Sequence, residues 1–319
     1  MKKIGLTGCG SIGRLHAENL KGCAEILFHN RTRGRAEAFA RKFGGLVCES
    51  FEELIESADG VVIATPPSQH EIEVSAALTA GVNVLVEKPL CTEPEQLERL
   101  QDVATRHSKS VLMVAENYYY KPSLLNLKQH IVSGVLGEIK HISAKKLKTQ
   151  KAAGWRSAYG ALIEGGIHYV ALVADLLDTS VEIMCGHPQV TEADFPNWKF
   201  GQMERNAVIR LAAINGPTAS IHYAWDVPSL TQGVFQHSNI TGSQGQITFE
   251  SNGIYQRLKT RRRTRLEFPG FVDMSGYKAM MNDFLKSVED PNHSPYSNFE
   301  RAKRDLQIVF NAYRSLKGS

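Results

Sequence analysis

The chain of 319 residues has few cysteines and no organised set of them. Cys9, Cys23, Cys48, Cys91 and Cys185 are odd in number and widely spaced, with no Cys-x-x-Cys pair. That excludes a disulfide framework and a cysteine zinc site, so no metal is expected and a reducing, cytoplasmic setting is. Long apolar runs are missing, so no membrane association is expected, and no signal peptide precedes the first strand. An excess of one charge is missing too. Lys and Arg number 37 against 33 Asp and Glu, a formal +4, which by itself gives no ground for nucleic acid as a partner. Internal repeats and low-complexity segments are absent. What is present, 42% hydrophobic and 22% charged residues, fits a soluble globular chain with room for two domains.

The most informative segment stands at the start. The apolar run Ile4-Gly5-Leu6-Thr7 leads into Gly8-Cys9-Gly10-Ser11-Ile12-Gly13, and Ser11 to Lys21 reads as a helix stopped by Gly22. Strand, Gly-x-Gly-x-x-Gly turn and helix form the dinucleotide-binding fingerprint. Gly8 permits the tight turn, Gly10 lets a pyrophosphate reach the backbone, and Gly13 lets helix and strand pack closely. The phosphates then meet the N–H groups of Ser11, Ile12 and Gly13 at the helix N-terminus.

An NAD site usually carries an acid about 20 residues beyond the fingerprint, on the ribose 2′-hydroxyl. Here the second strand, Glu25 to Phe28, runs out into His29-Asn30-Arg31-Thr32-Arg33, with no carboxylate at the tip. Asn30, Arg31, Thr32 and Arg33 suit a 2′-phosphate, because a forked guanidinium pairs with a dianion that an acid would repel. NADP is therefore expected over NAD, with NAD possible. The competing reading makes Arg31, Arg33 and Arg35 the solvated start of the next helix.

Strand and helix alternate up to about residue 120. Strands are expected at Gly60 to Ala64, Val82 to Val86 and Val111 to Ala115. Capping boxes are expected at Ser50-Phe51-Glu52-Glu53 and Ser68-Gln69-His70-Glu71. Apolar strands spaced by helices predict a parallel sheet covered on both faces. Beyond Lys121 the period changes. In Thr218 to Asp226, Ala219, Ile221, Tyr223 and Trp225 share one face, which predicts an antiparallel strand. Asn206 to Ile214, Gly233 to Thr241, Gln246 to Phe249 and Ile254 to Thr260 read as further strands, and two helices close the chain. The division expected is a dinucleotide-binding domain over 1–120 and a substrate and oligomerisation domain over 121–319.

Ligands of open α/β sheets bind at the carboxyl ends of the strands. Two such ends here are Thr65-Pro66-Pro67-Ser68-Gln69-His70 and Glu87-Lys88-Pro89-Leu90. Lys88 is expected on the rim of the glycine loop, where a half-desolvated ammonium can bond a substrate oxygen or move its proton. In the second half, Glu164 and His168 stand four apart and would share a helix face. His168 is a candidate general acid/base with Glu164 to orient it, and Gly165 and Gly166 allow something to approach closely. The competing reading is a buried histidine bonded to backbone. The run Arg261-Arg262-Arg263, with Lys259 and Arg265, reads as solvated charge, or else as a contact to phosphate or carboxylate on a substrate, or to the cofactor's 2′-phosphate across a dimer.

Taken together these segments resemble the Gfo/Idh/MocA oxidoreductases. The matching stretches are Gly8 to His16, Glu87-Lys88-Pro89-Leu90, Asn117-Tyr118-Tyr119-Tyr120-Lys121-Pro122, Leu136-Gly137-Glu138-Ile139, Trp155-Arg156, Glu164-x-Gly166-x-His168 and Tyr313-Arg314-Ser315. The resemblance implies an N-terminal Rossmann doubly wound parallel sheet. It also implies a C-terminal α+β domain whose open, mostly antiparallel sheet builds a homodimer or homotetramer. It implies a lysine, an acid and a histidine at the substrate; Lys88 and His168 match, while Glu164 replaces the usual Asp and Ala171 replaces a frequent acid. Thr65, Pro66, Pro67, His70, Glu87, Lys88 and Asn117 are then expected around the cofactor, and Tyr118, Trp155 and Arg156 beside Lys88 and His168 at the substrate. The activity implied is hydride transfer between nicotinamide and a sugar, inositol or related polyol or carbonyl compound. A non-catalytic NADP-binding regulator and an NAD-dependent glycosidase are the alternatives. The pair Lys88 and His168 argues against the first, and the arginines after the second strand argue against the other.

Overall fold

The computed structural model describes residues 1–151, 153–180 and 188–317. Two compact units emerge: Met1–Asn117 together with Tyr277–Lys303, and Tyr118–Gly276 together with the chain from Arg304 onward. Cys185 lies outside the described residues, as do the side chains of Trp155 and Arg156.

Short, nearly unbroken apolar runs make the strands of the first unit: β1 (Lys3–Thr7), β2 (Glu25–His29), β3 (Leu46–Val47), β4 (Gly60–Ile63), β5 (Asn83–Val86) and β6 (Leu112–Val114). Between them run α1 (Ser11–Leu20), α2 (Arg33–Phe43), α3 (Phe51–Ser57), α4 (Pro67–Thr79) and α5 (Pro94–Arg106). The sheet is parallel throughout, in the order β3-β2-β1-β4-β5-β6. Strands buried on both faces need no polar side, which is why Val61, Val62, Val84 and Leu85 are fully enclosed. The order reverses between β1 and β4, and that switch point is where such sheets take their ligands. Ser50 caps α3 by accepting from the Glu53 amide. The second expected capping box does not form. Helix α4 starts one residue before Ser68, at Pro67, with Pro66 as its cap, because proline's fixed φ already suits a first helical turn.

The second unit opens with α6 (Pro122–Val132) and β7 (Ile139–Leu147), then a π-helical turn, Leu162–Gly166, running into α7 (Ile167–Ser180). Next come β8 (Gln189–Asp194), β9 (Asn206–Ala212), β10 (Thr218–Ala224), β11 (His237–Gly242), β12 (Gly245–Glu250), β13 (Gln256–Thr260) and β14 (Thr264–Glu267). The eight strands lie in the order β14-β13-β12-β11-β7-β10-β9-β8. Every pairing is antiparallel except β7 with β10. The face read for Thr218 to Asp226 is correct: Ala219, Ile221, Tyr223 and Trp225 are all buried. The strand expected from Gly233 begins only at His237, because Gly233 and Phe235 hold φ of 81° and 57°, which no strand accommodates. Two helices finish the chain, α8 (Tyr277–Glu289) and α9 (Phe299–Lys317). The first belongs to the parallel-sheet unit, burying Met280, Met281, Phe284 and Val288. Among the described residues no helix is long and apolar enough to cross a membrane.

Candidate active site

The chain leaves β1 through Gly8 at φ 94°, a conformation that favours glycine. A Cβ on Gly8 would stand 2.4 Å from the carbonyl oxygen of Ala64, and one on Gly13 would stand 2.0 Å from that of Gly8. One on Gly10 would meet nothing within 4 Å. Two glycines are thus required by packing, and the third leaves space above the backbone where a phosphate can approach. Helix α1 has no acid in its first turn and no side-chain cap, so its leading N–H groups offer a positive end to an anion. The strand–turn–helix geometry fits the pyrophosphate of a dinucleotide. Cys9 inside this loop is buried, and burial pushes its thiol up to about 12, so it is inert packing.

At the tip of β2 the four expected residues separate. Asn30 is a latch: its Oδ1 accepts from the Cys9 amide at 3.0 Å and its Nδ2 donates to the Thr32 carbonyl at 3.0 Å. Arg33 is engaged by Glu37, at 2.9 Å, and by Glu49. Arg31 is exposed and, among the described residues, makes no ion pair. The exposed cations at the tip are thus Arg31, Arg33 in its ion pairs, and Arg35, which lies close enough to act electrostatically on Cys9.

The next two rim loops are tied down from behind. Thr65 donates its hydroxyl to Glu73 at 2.5 Å, and burial lifts Glu73 to about 7. His70 is fully buried, with Nδ1 2.9 Å from the Pro89 carbonyl and Nε2 2.9 Å from the Thr65 carbonyl. It braces loops from within, and burial holds its pKa below the ordinary histidine value. Glu87 is buried as well. Its Oε1 accepts from His16 Nε2 at 2.8 Å, and its Oε2 accepts from the Lys88 amide at 3.2 Å. Of the β5 loop it is Lys88 that remains half-buried at the rim. It lies two strands from the glycine loop, about 10 Å across the sheet. Asn117 is buried at the start of the short helix after β6.

In the second unit Glu164 sits inside the π-helical turn, not on the plain α-helix its spacing implied. Such turns widen the helix and accumulate at functional sites. The group that approaches Gly165 is Tyr223: a Cβ there would stand 2.1 Å from its hydroxyl. His168 follows one turn later, half-buried and stacked on Tyr118 with centroids 4.7 Å apart and planes 14° apart. Lys121 Nζ lies 4.1 Å from the centroid of the same tyrosine ring. Tyr118 thus braces the imidazole. Tyr119 belongs to the core, bonded to the buried Arg304 at 2.7 Å.

Sequence reasoning missed Glu204. It is almost fully buried, and its Oε1 accepts from the Leu162 amide at 2.7 Å and from the Tyr313 hydroxyl at 2.8 Å. It anchors the turn that carries Glu164. Only its distance in sequence hid it. Burial lifts its pKa from 4.5 to about 7. A carboxyl whose folded pKa is raised contributes stability below the unfolded value and loses it as pH rises toward 7. Glu204→Gln is therefore expected to match the parent near pH 4.5 and to exceed it above pH 7 by about 3 kcal/mol at most. Urea melts at the two pH values check this; equal loss at both would refute it.

Arg261, Arg262 and Arg263 are exposed in the β13–β14 hairpin. Register places that hairpin beside Gly245, in line with Thr241, His141 and Thr218. Tyr223, which touches the π-helical turn, is five residues along β10 from Thr218, about 17 Å along the strand. Within one chain the run is exposed charge at the tip of that hairpin.

A parallel sheet with a glycine-loop switch point, joined to a large antiparallel α+β unit, defines the class of two-domain nucleotide-dependent oxidoreductases. The chain belongs to the Gfo/Idh/MocA oxidoreductase family. The model of that family's NAD-binding Rossmann fold matches residues 2–116, and its C-terminal domain matches residues 124–248. Glucose-6-phosphate 3-dehydrogenase of Bacillus subtilis (strain 168) is 31% identical over 192 residues, 56% of this chain and 55% of that one. The chain thus aligns with little more than half the length of that relative. Among solved structures, a 3-ketoreductase from Actinomadura kijaniata in complex with NADP and TDP-benzene has a TM-score of 0.81 at 21% identity, covering 98% of this chain and 97% of that one. UDP-N-acetylglucosamine 3-dehydrogenase from Acidithiobacillus ferrooxidans has a TM-score of 0.81 at 19% identity, covering 99% of each chain.

Proposed function

We propose that this protein is an NADP-dependent dehydrogenase or ketoreductase that interconverts a ring hydroxyl and a ketone on a sugar or a closely related polyol. The observation that carries the reading is the half-buried Lys88 on the rim of a glycine loop built for a dinucleotide. The glycine loop and the N-terminus of α1 hold the pyrophosphate, and Arg31 holds the 2′-phosphate. Bound nicotinamide supplies the acceptor or donor of the hydride. His168 takes the hydroxyl proton in oxidation and returns it in reduction. Lys88 bonds the same oxygen and stabilises the negative charge that develops there. Glu164 orients the imidazole, and Tyr118 holds its plane. The 31% identity to a glucose-6-phosphate 3-dehydrogenase supports carbon 3 of a hexose as the reacting centre.

The test is to mix the protein with NADP and, separately, glucose 6-phosphate, a UDP-hexosamine and inositol, and to follow reduced nicotinamide. Net NADPH formation supports a dehydrogenase. Sugar cleavage without it would favour a glycosidase, and tight NADP binding with no turnover of any sugar would favour a regulator. Arg31→Ala is expected to weaken NADP about ten- to a hundredfold and to leave NAD unchanged, since one charge-assisted bond to the 2′-phosphate is lost. Equal loss for both cofactors, measured by fluorescence titration, would remove Arg31 from that role.

A further inference from the structure

Lys88 has a buried anchor on each side of it in the chain. The residue before it, Glu87, is held through its carboxylate by His16 on α1, at 2.8 Å. The residue after it, Pro89, is held through its carbonyl by His70 on α4, at 2.9 Å. Both imidazoles are at most 1% exposed, so neither is placed to meet a ligand in solution. Toward the two neighbours of Lys88 they present different ring nitrogens, His16 its Nε2 and His70 its Nδ1, while His70 Nε2 faces the Thr65 carbonyl. The helices involved are those that leave the glycine loop and the Thr65 loop. Glu87 also accepts from the Lys88 amide, so the carboxylate held by His16 fixes the lysine's own backbone.

We propose that His16 and His70 are positioning residues that pin the backbone of Lys88 from both sides and so fix where its ammonium stands against the nicotinamide rim. This rests on the reading of Lys88 as the group that meets substrate, and it gives a purpose to two histidines buried behind the loop that carries it. A loop end carrying a reactive side chain would otherwise drift, and a misplacement of about 1 Å can cost a hundredfold in rate. Tying the loop to α1 and α4 makes the lysine's position depend on the elements that hold the phosphates.

The test exploits the two nitrogens. Asparagine presents an amide donor where histidine has Nδ1, and glutamine presents one where histidine has Nε2. His70→Asn and His16→Gln therefore keep the pins, whereas His70→Gln and His16→Asn lose them. Hydrogen exchange is read in the whole protein at the Lys88 and Leu90 amides. The expected pattern is crossed: near-parental exchange in the first pair and about tenfold faster exchange in the second, as for loss of one buried hydrogen bond. A merely space-filling role would rank asparagine and glutamine alike at both positions, and that outcome would overturn the proposal. Because exchange needs no substrate, it is separable from the functional reading. If Lys88→Ala stays fully active while the crossed pattern appears, the function falls and the pinning stands. If Lys88→Ala is inactive and the pattern is missing, the pinning falls alone.

Discussion

Lys88→Ala is expected to lower kcat about a thousandfold, the range for removing a group that handles a proton or a developing charge, with little change in NADP affinity. The lysine follows β5 and lies beyond Glu87, whose carboxylate is held from behind by His16. Truncating the side chain therefore leaves the loop's anchors in place. The phosphate-binding parts, Gly8 to Gly13 and the start of α1, lie two strands away. Loss of rate with retained binding is the signature of an interaction made with the reacting centre. Lys88→Met keeps the stem and removes the charge, so it is expected to be as slow as alanine. A methionine variant with parental turnover would show that packing, not the ammonium, matters. Weakened NADP binding in proportion to the lost rate would move Lys88 from the substrate to the cofactor.

The second large effect separates the roles of Gly10 and Gly13, two glycines three positions apart. Gly13→Ala is expected to lose NADP binding and several kcal/mol of stability, because its Cβ would stand 2.0 Å from a backbone oxygen that has nowhere to go. Helix α1 must then back away from β1, and the loop opens. Gly10→Ala is expected to melt with the parent, since its Cβ meets nothing. It should nevertheless lose NADP affinity at least tenfold, because the methyl group occupies the space that a phosphate needs. Thermal melts and cofactor titrations of both variants check this. A Gly10→Ala protein that binds NADP normally would contradict the placement of the pyrophosphate.

The parallel sheet was legible because its strands are almost wholly apolar and its turns carry glycine and proline. Val61 to Ile63 and Val84 to Val86 are buried on both faces, so no register needed to be inferred from alternation. The second sheet was legible in part. Thr218 to Ala224 alternates and was found. Gln189 to Asp194 forms an edge strand with mostly polar, exposed residues, which need not be apolar to pair, so no pattern marks it. The site residues divide the same way. Gly8, Gly10 and Gly13 are fixed by local geometry and were readable. His16 and Glu87, 71 residues apart, and Glu204 with the 162 amide, 42 apart, meet only through tertiary folding. The π-helical turn was unreadable because Leu162 to His168 carries an ordinary helical spacing, and the extra residue is absorbed where Tyr223 presses on Gly165. The ion pair of Arg33 with Glu49 was unreadable because the two are separated by a whole helix.

The measurement that goes most directly to the centre of this account is the structure of the protein crystallised with NADP and a sugar it turns over. The prediction is one substrate oxygen within about 3 Å of both the Lys88 ammonium and the His168 imidazole, on the carbon that faces the nicotinamide. A complex in which the two side chains contact different molecules, or different ends of the sugar, would contradict it.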